Sequence, residues 1–286
     1  MKKLRKSSSI NLHGYIKENV SENIKAGLEF HKKMGFDAAD LSFSLIDLSN
    51  DGWRPCIEKA KEDAENTGIR FELCHLPFSG KVSTPSDYLP IFNEQMHRAI
   101  DAATLLGVDY AVLHPNTATL HMAKYDKNAE RDKVLSHLAP FVEHANKVGV
   151  NIVVENMREV HGNYPTHRYC QTPIELCDIA DTLGIGVCWD FGHANISGVR
   201  QSEGLAYVGK RLKVLHVNDN FAGDDIHILP FTGNVDWRDA MHGLALAEFD
   251  GLINFELSAA RVPQNMREAF ARYVVSAADT LMEYIE

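Results

Sequence analysis

Six short apolar runs in this chain each end on a residue able to bind a metal ion. They are FELCH ending at His75, YAVLH at His114, NIVVE at Glu155, IGVCWD at Asp190, LKVLH at His216 and LINFE at Glu256. A strand buried on both faces of a parallel sheet reads as a continuous apolar run of this kind. Barrel enzymes place their chemistry at the C-terminal ends of such strands. A single polar exit is an ordinary strand terminus; six in succession imply strands that aim donors at one centre.

Between the runs, helical patterns alternate with strand patterns along the whole chain. SINLHG (9–14) reads as a first strand, followed by a helix whose buried face carries Ile24, Leu28 and His31. DAADLSF (37–43) reads as a second strand. Helices are then expected over Pro55–Asn66, Asp87–Leu106, Lys127–Lys147, Pro173–Leu183 and residues 236–248 and 264–285, with glycines or prolines at several boundaries. Pro140 lies inside the fourth helical stripe and predicts a kink or break there. The helix after IGVCWD is weakly marked, over Glu203–Lys210. Residues 157–172, rich in Asn, His, Arg, Gly and Pro, read as a long functional loop. Eight strand–helix units fit either a doubly wound sheet or a closed (β/α)8 barrel. An open sheet concentrates its site at one switch point, whereas polar exits on strands three to eight suit a ring. The expectation is an α/β fold with a single (β/α)8 TIM-barrel domain over 1–286, its residues 1–8 a flexible N-terminus.

Composition narrows the function. The chain of 286 residues carries 29 Lys and Arg against 39 Asp and Glu, a formal charge of −10 with 14 His neutral. This disfavours nucleic acid as a partner, because backbone binding rests on basic footprints. MKKLRKSSS is basic but lacks the apolar stretch of a signal peptide, and no run reaches the ~20 apolar residues of a membrane span. Five Cys without a C-x-x-C pair make no disulfide framework. A cytoplasmic protein without a membrane partner is expected, and the oligomeric state is open.

Glu155, Asp190, His216 and Glu256 form the strongest candidate set. Three carboxylates and an imidazole suit a hard or borderline divalent ion: Mn²⁺, Zn²⁺ or Mg²⁺. Such an ion also explains how three acids share one place without raising each other's pKa values. His75, His114, His193, Asp225 and His227 form a second set of additional metal or substrate ligands. Asp190 and His193 belong to WDFGHAN, where Gly192 would allow a sharp turn after the strand. Asp225 and His227 form a D-x-H whose side chains, if the loop is extended, project to one side. The bland alternatives are that His114 in HPN caps a backbone group in an exit turn, and that His75 before Pro77 does the same. Arg168 could clamp a phosphate or carboxylate, although a solvated loop cation is the simpler reading. Trp53, Phe78, Tyr164, His167, Trp189 and Phe231 could shape a pocket, with Trp189 expected to point into the core by alternation.

In the order CHLPF, LHPN, VVEN, WDFGHAN, LHVND, DIHILPFTGNVDW and NFELS, nearly the whole chain resembles the xylose-isomerase-like TIM-barrel superfamily. That superfamily holds sugar isomerases, ketose 3-epimerases, dehydratases and the endonuclease IV family. The resemblance implies that Glu155, Asp190, His216 and Glu256 match the metal ligands of the ketose 3-epimerases, in which the two glutamates also serve as the acid/base pair. His193 matches a substrate-contacting histidine, and Glu159 resembles an acid that holds substrate hydroxyls. The implied reaction polarises a metal-bound carbonyl, removes the neighbouring C–H proton through an enediolate, and returns a proton from the opposite face.

Two alternatives stay open. The chain has a counterpart for each ligand of the trinuclear zinc cluster of endonuclease IV, namely the inner four residues together with His75, His114, His193, Asp225 and His227. Against that phosphodiesterase stand the acidic charge and the absence of a basic, aromatic-interleaved DNA loop. The chain also lacks the Arg that free-ketohexose 3-epimerases place shortly after the seventh-strand His. This leaves room for another sugar, a keto-inositol or a sugar acid, and for a dehydratase that starts with the same proton abstraction. A non-catalytic barrel would have lost one of the four inner residues, and none is missing.

Overall fold

The computed structural model describes residues 4–14, 19–78, 89–158, 165–257, 259 and 261–285. The apolar runs form parallel strands β1 (Arg5–Ser9), β2 (Ala38–Ser42), β3 (Arg70–His75), β4 (Tyr110–Leu113), β5 (Asn151–Glu155), β6 (Gly186–Asp190), β7 (Leu212–His216) and β8 (Leu252–Phe255). They are hydrogen-bonded in the order β8-β1-β2-β3-β4-β5-β6-β7. The ring closes at the β7/β8 seam, where Val217 N–H donates to Asn254 O at 2.8 Å and Glu256 N–H to Val217 O at 3.2 Å. The fold is a TIM barrel, as the polar exits on successive strands predict.

Helices α1 (Val20–Met34), α2 (Trp53–Thr67), α3 (Leu89–Leu106), α4 (Lys127–Val148), α5 (Pro173–Leu183), α6 (Phe191–Ile196), α7 (Gln201–Val208), α8 (Trp237–Leu246) and α9 (Arg267–Glu283) pack outside the ring. Their ends follow local chemistry. Thr172 accepts from Glu175 N–H ahead of Pro173, Asp236 accepts from Asp239 N–H, and glycines in the left-handed conformation close α1, α2, α4 and α5. Among the described residues no helix is long and apolar enough to cross a membrane.

The barrel interior has an apolar floor and a polar roof. Ala38, Leu73, Val112, Val153, Cys188, Val214 and Leu252 form one buried cluster inside the ring. Because side chains alternate along a strand, the residues two positions further on face the same interior: Asp40, His75, His114, Glu155, Asp190, His216 and Asn254. Trp189, between Cys188 and Asp190, points the other way, is buried, and donates its indole N–H to Gln201 at 2.9 Å.

Several expectations are corrected. The first strand is Arg5–Ser9, not 9–14, so residues 5–8 belong to the barrel instead of a flexible terminus, and Ile10–His13 is a short 3-10 helix. Its inward side meets Ala38 and Asn254 through Ser7, a tight place where a serine fits and no apolar signal is needed. Helix α4 runs unbroken through Pro140, which is exposed. The helix expected over 203–210 is present as α7, over 201–208, and an unexpected short helix, α6, precedes it. Gly192 makes no sharp turn; it lies in the first turn of α6, where a Cβ would stand 2.0 Å from Asn218 Oδ1. The long loop after β5 carries a two-residue strand, Thr166–His167, paired antiparallel with Leu120–His121.

Candidate active site

Four successive strands deliver the inner set. Glu155 ends β5, Asp190 ends β6, His216 ends β7 and Glu256 follows β8. Asp190 and His216 are register partners, as are Glu155 and Cys188 on the same two-residue pitch. One potential ligand atom from each of Glu155, Asp190, His216 and Glu256 lies within 4.8 Å of the others. Asp190 and His216 are fully buried, Glu155 is 1% exposed and Glu256 28%.

Glu155 is the hub. Its Oε1 lies 3.2 Å from His216 Nδ1 and 3.3 Å from His193 Nδ1, and its Oε2 lies 3.1 Å from His114 Nε2 and 3.4 Å from His75 Nε2. Glu256 Oε2 approaches His216 Nδ1 at 3.4 Å and His227 Nδ1 at 3.5 Å. Many of these contacts are close without being aligned. Among the described residues, Glu155 Oε1, both ring nitrogens of His216 and Asp225 Oδ1 are buried and meet no hydrogen-bond partner. Buried polar atoms are almost always satisfied. Facing carboxylate and imidazole atoms left without bonds fit a cavity built for a cation, and the donor set of oxygens and imidazoles suits a divalent one.

Hydrogen bonds from behind fix the ligand atoms. Asn218 donates to Asp190 Oδ2 at 2.7 Å, and the His193 N–H donates to Asp190 Oδ1 at 2.6 Å. Asn156 accepts from Asp190 N–H at 2.7 Å and donates to Asp190 O at 2.9 Å. His193 Nδ1 lies 2.8 Å from Asn156 O and His75 Nδ1 2.7 Å from Leu76 O, contacts that leave each Nε2 facing the site.

The outer set joins the inner one. His75 Nε2 and His114 Nε2 stand 3.1 Å apart, and with Glu155 they form a second potential ligand group. His114 therefore turns its Nε2 into the site. Asp190, His193 and His227 form a third group. Asp225 lies 3.3 Å from His193 Nε2 and 3.0 Å from His227 Nε2. The Asp225 and His227 side chains do project to one side, 3.0 Å apart, with His227 at φ +44°, a conformation sparsely populated by residues with a Cβ. His167 is withdrawn from the site by Glu175, which it meets at 3.0 Å, and Phe231 packs on Trp237 and Tyr284. Phe78, half-exposed, covers the rings of His75 and His114. Glu159 and Tyr164 lie outside the described residues.

Sequence reasoning missed Arg158, whose Nε donates to Asp225 Oδ2 at 3.0 Å. It also missed the asparagines behind Asp190 and the buried Asp219. The run ENMR following a strand-end glutamate was the available signal for Arg158.

Charges within the site are strongly coupled. Burial alone would raise the Glu155 carboxyl, but His216 and His114 outweigh it and hold it well below the usual range. Glu256 is lowered by His216 and His227 against the same burial. Burial lifts Asp190 to about 6. Burial also opposes charge on His216 and His193. For His216, Cys188, Glu256 and Glu155 prevail; for His193, Asp190 and Asp225 do, and both imidazoles are raised well above 6.5. The cluster therefore balances carboxylates with imidazolium protons that a divalent ion would replace.

The model of the family described as xylose isomerase-like TIM barrel matches residues 28–274. An uncharacterised protein of Methanocaldococcus jannaschii is 28% identical over 221 residues, covering 75% of this chain and 70% of that protein. A solved D-tagatose 3-epimerase-like protein superposes with a TM-score of 0.74 at 21% identity, covering 99% of this chain and 98% of that one. A solved L-ribulose 3-epimerase gives 0.76 at 15% identity, covering 99% and 96%. At these identities the structural likeness concerns the fold.

Proposed function

The chain belongs to the xylose isomerase-like TIM-barrel family, and from that premise we propose that it is a divalent-metal-dependent sugar isomerase or epimerase. The observation that carries this reading is the convergence of Glu155, Asp190, His216 and Glu256 within 4.8 Å, with buried Glu155 and His216 atoms that no described group satisfies. Mn²⁺ or Zn²⁺ fits the set best and Mg²⁺ also fits. The ion, when bound, supplies Lewis acidity toward a carbonyl oxygen and a neighbouring hydroxyl of the sugar.

The protein's own groups do the rest. Glu155 and Glu256 come from strands three places apart in the ring, so a sugar lying between them presents opposite faces to the two carboxylates. One removes the proton beside the carbonyl and the other returns a proton, which inverts the carbon. Glu155 is sealed at 1% exposure, so a proton it takes stays with it; Glu256, at 28%, can exchange protons with water. His193 is held by Asp190 through its backbone N–H and meets Asp225 through Nε2, and a sugar hydroxyl could share or replace the Asp225 contact.

Incubating the metal-loaded protein with ketoses in deuterated water and following the carbon beside the carbonyl by NMR tests the proposal. Deuterium incorporation with inversion is expected, and loss of the β-hydroxyl would instead identify a dehydratase. A second reading has an observation of its own: the His75–His114–Glu155 and Asp190–His193–His227 groups could hold further ions, as a phosphodiesterase needs. Cleavage of duplex DNA at an abasic site, without exchange in any ketose, would favour it.

A further inference from the structure

Among the described residues, two guanidinium groups beside the site are each anchored through Nε alone. Arg158 donates its Nε to Asp225 Oδ2 at 3.0 Å. Arg168 donates its Nε to the backbone oxygen of Thr117 and to its hydroxyl, both at 3.2 Å. Thr117 is itself buried and fixed by its bond to Tyr169 O at 3.1 Å. Among the described residues, neither arginine has a partner on its terminal nitrogens, and Arg168 has no carboxylate partner at all.

This arrangement is costly without a ligand. Arg168 is largely buried and its pKa is pulled down to about 10, by burial first and by the charge of Arg158 second. Glu155 and Asp225 lie within electrostatic range and offset this only in part. Two like charges held near each other, with the Asp225 carboxylate on one of them and with terminal nitrogens that meet no partner among the described residues, favour a further anion between them. A lone surface arginine would instead swing into water.

We infer that Arg168 and Arg158 form an oxyanion subsite beside the candidate metal centre, so that the substrate is an acidic ketose, phosphorylated or carboxylated, in preference to a free sugar. The inference rests on the sugar reading above. It also accounts for the missing arginine after the seventh-strand histidine: positive charge reaches this pocket from the loop after β5 instead. A phosphate and a carboxylate offer the same acceptor geometry to an arginine fork, so both belong to one chemistry.

Titration calorimetry on the metal-loaded full chain tests the subsite, with D-ribulose 5-phosphate against D-ribulose and D-fructuronate against D-fructose. At least one acidic sugar is expected to bind about 10- to 100-fold more tightly than its neutral counterpart, the worth of charged hydrogen bonds. Arg168→Met should collapse that preference and Arg168→Lys should restore part of it, with unchanged circular dichroism showing that both variants fold. The larger ratio tells phosphate from carboxylate. Equal affinity for neutral and acidic sugars, or a preference that survives Arg168→Met, overturns the inference while leaving the sugar reading intact if the neutral ketoses exchange deuterium. Preferential binding that depends on Arg168, without exchange in any ketose, keeps the subsite and removes the epimerase reading. Abasic duplex DNA bound more tightly than every sugar through Arg168 overturns both.

Discussion

Asn218 holds the carboxylate of Asp190 from behind, its amide donating to Oδ2 at 2.7 Å while the β6 exit wraps the other oxygen. The pair is fully buried, and Gly192 leaves the space that Asn218 occupies. Asn218→Ala should therefore weaken divalent metal binding by about 10- to 100-fold, as loss of an outer-shell partner does elsewhere. Competition with a chelator measures it, and unchanged affinity would separate Asp190 from the metal.

Metal affinity should rise with pH. His216 and His193 carry raised pKa values in the metal-free site, so they are protonated at neutral pH, and an ion bound by neutral imidazole must displace those protons. Each proton displaced makes the apparent affinity about tenfold stronger per pH unit until the raised pKa is passed. Calorimetry in two buffers of different ionisation enthalpy should show at least one proton released per ion; none released would contradict the charge balance described here.

The two glutamates should differ in isotope exchange. Both Glu155→Gln and Glu256→Gln should lower turnover by about 10² to 10⁴. In deuterated water, the direction of reaction in which solvent-open Glu256 returns the proton should give product rich in solvent deuterium. The direction in which sealed Glu155 returns it should show slow wash-in. Near-normal turnover in both variants would end their assignment as the acid/base pair.

Asp219 fixes the loop that carries Asp225 and His227. Completely buried, it accepts from the backbone N–H groups of Asn220, Gly233 and Val235 at 2.9 to 3.1 Å and from the indole of Trp237 at 3.1 Å. Asp219→Ala leaves four donors without this acceptor, and each unmet buried donor costs roughly 1–3 kcal/mol. A loss of about 3 kcal/mol or more is expected in urea unfolding, with weakened metal binding; a loss below about 1 kcal/mol would show that the loop has other support.

The sequence displayed its site more openly than its edges. The inner set was legible because strand alternation fixes which residues share a face: Val153 with Glu155, Cys188 with Asp190, Val214 with His216. Strand β1 was not, because RKSSS faces a crowded polar interior and carries none of the β-branched or aromatic residues that mark a strand. Helix α6 was too short, with Gly192 inside it, to show a helical period. Arg158, Asn218 and Asp219 act across the chain, at partners 67, 28 and up to 18 positions away. No local pattern announces such bonds. The outer histidines were visible as residues, but only the meeting of His75, His114 and His193 at Glu155, and of His227 at Glu256, shows that they share a centre with the inner set.

The most direct test is an anomalous diffraction map of crystals grown with Mn²⁺, recorded at the manganese edge. A peak enclosed by Glu155, Asp190, His216 and Glu256 is the predicted result. No peak there, or ions held only by His75, His114 and the Asp190–His193–His227 group, would contradict a sugar enzyme built on the inner four residues.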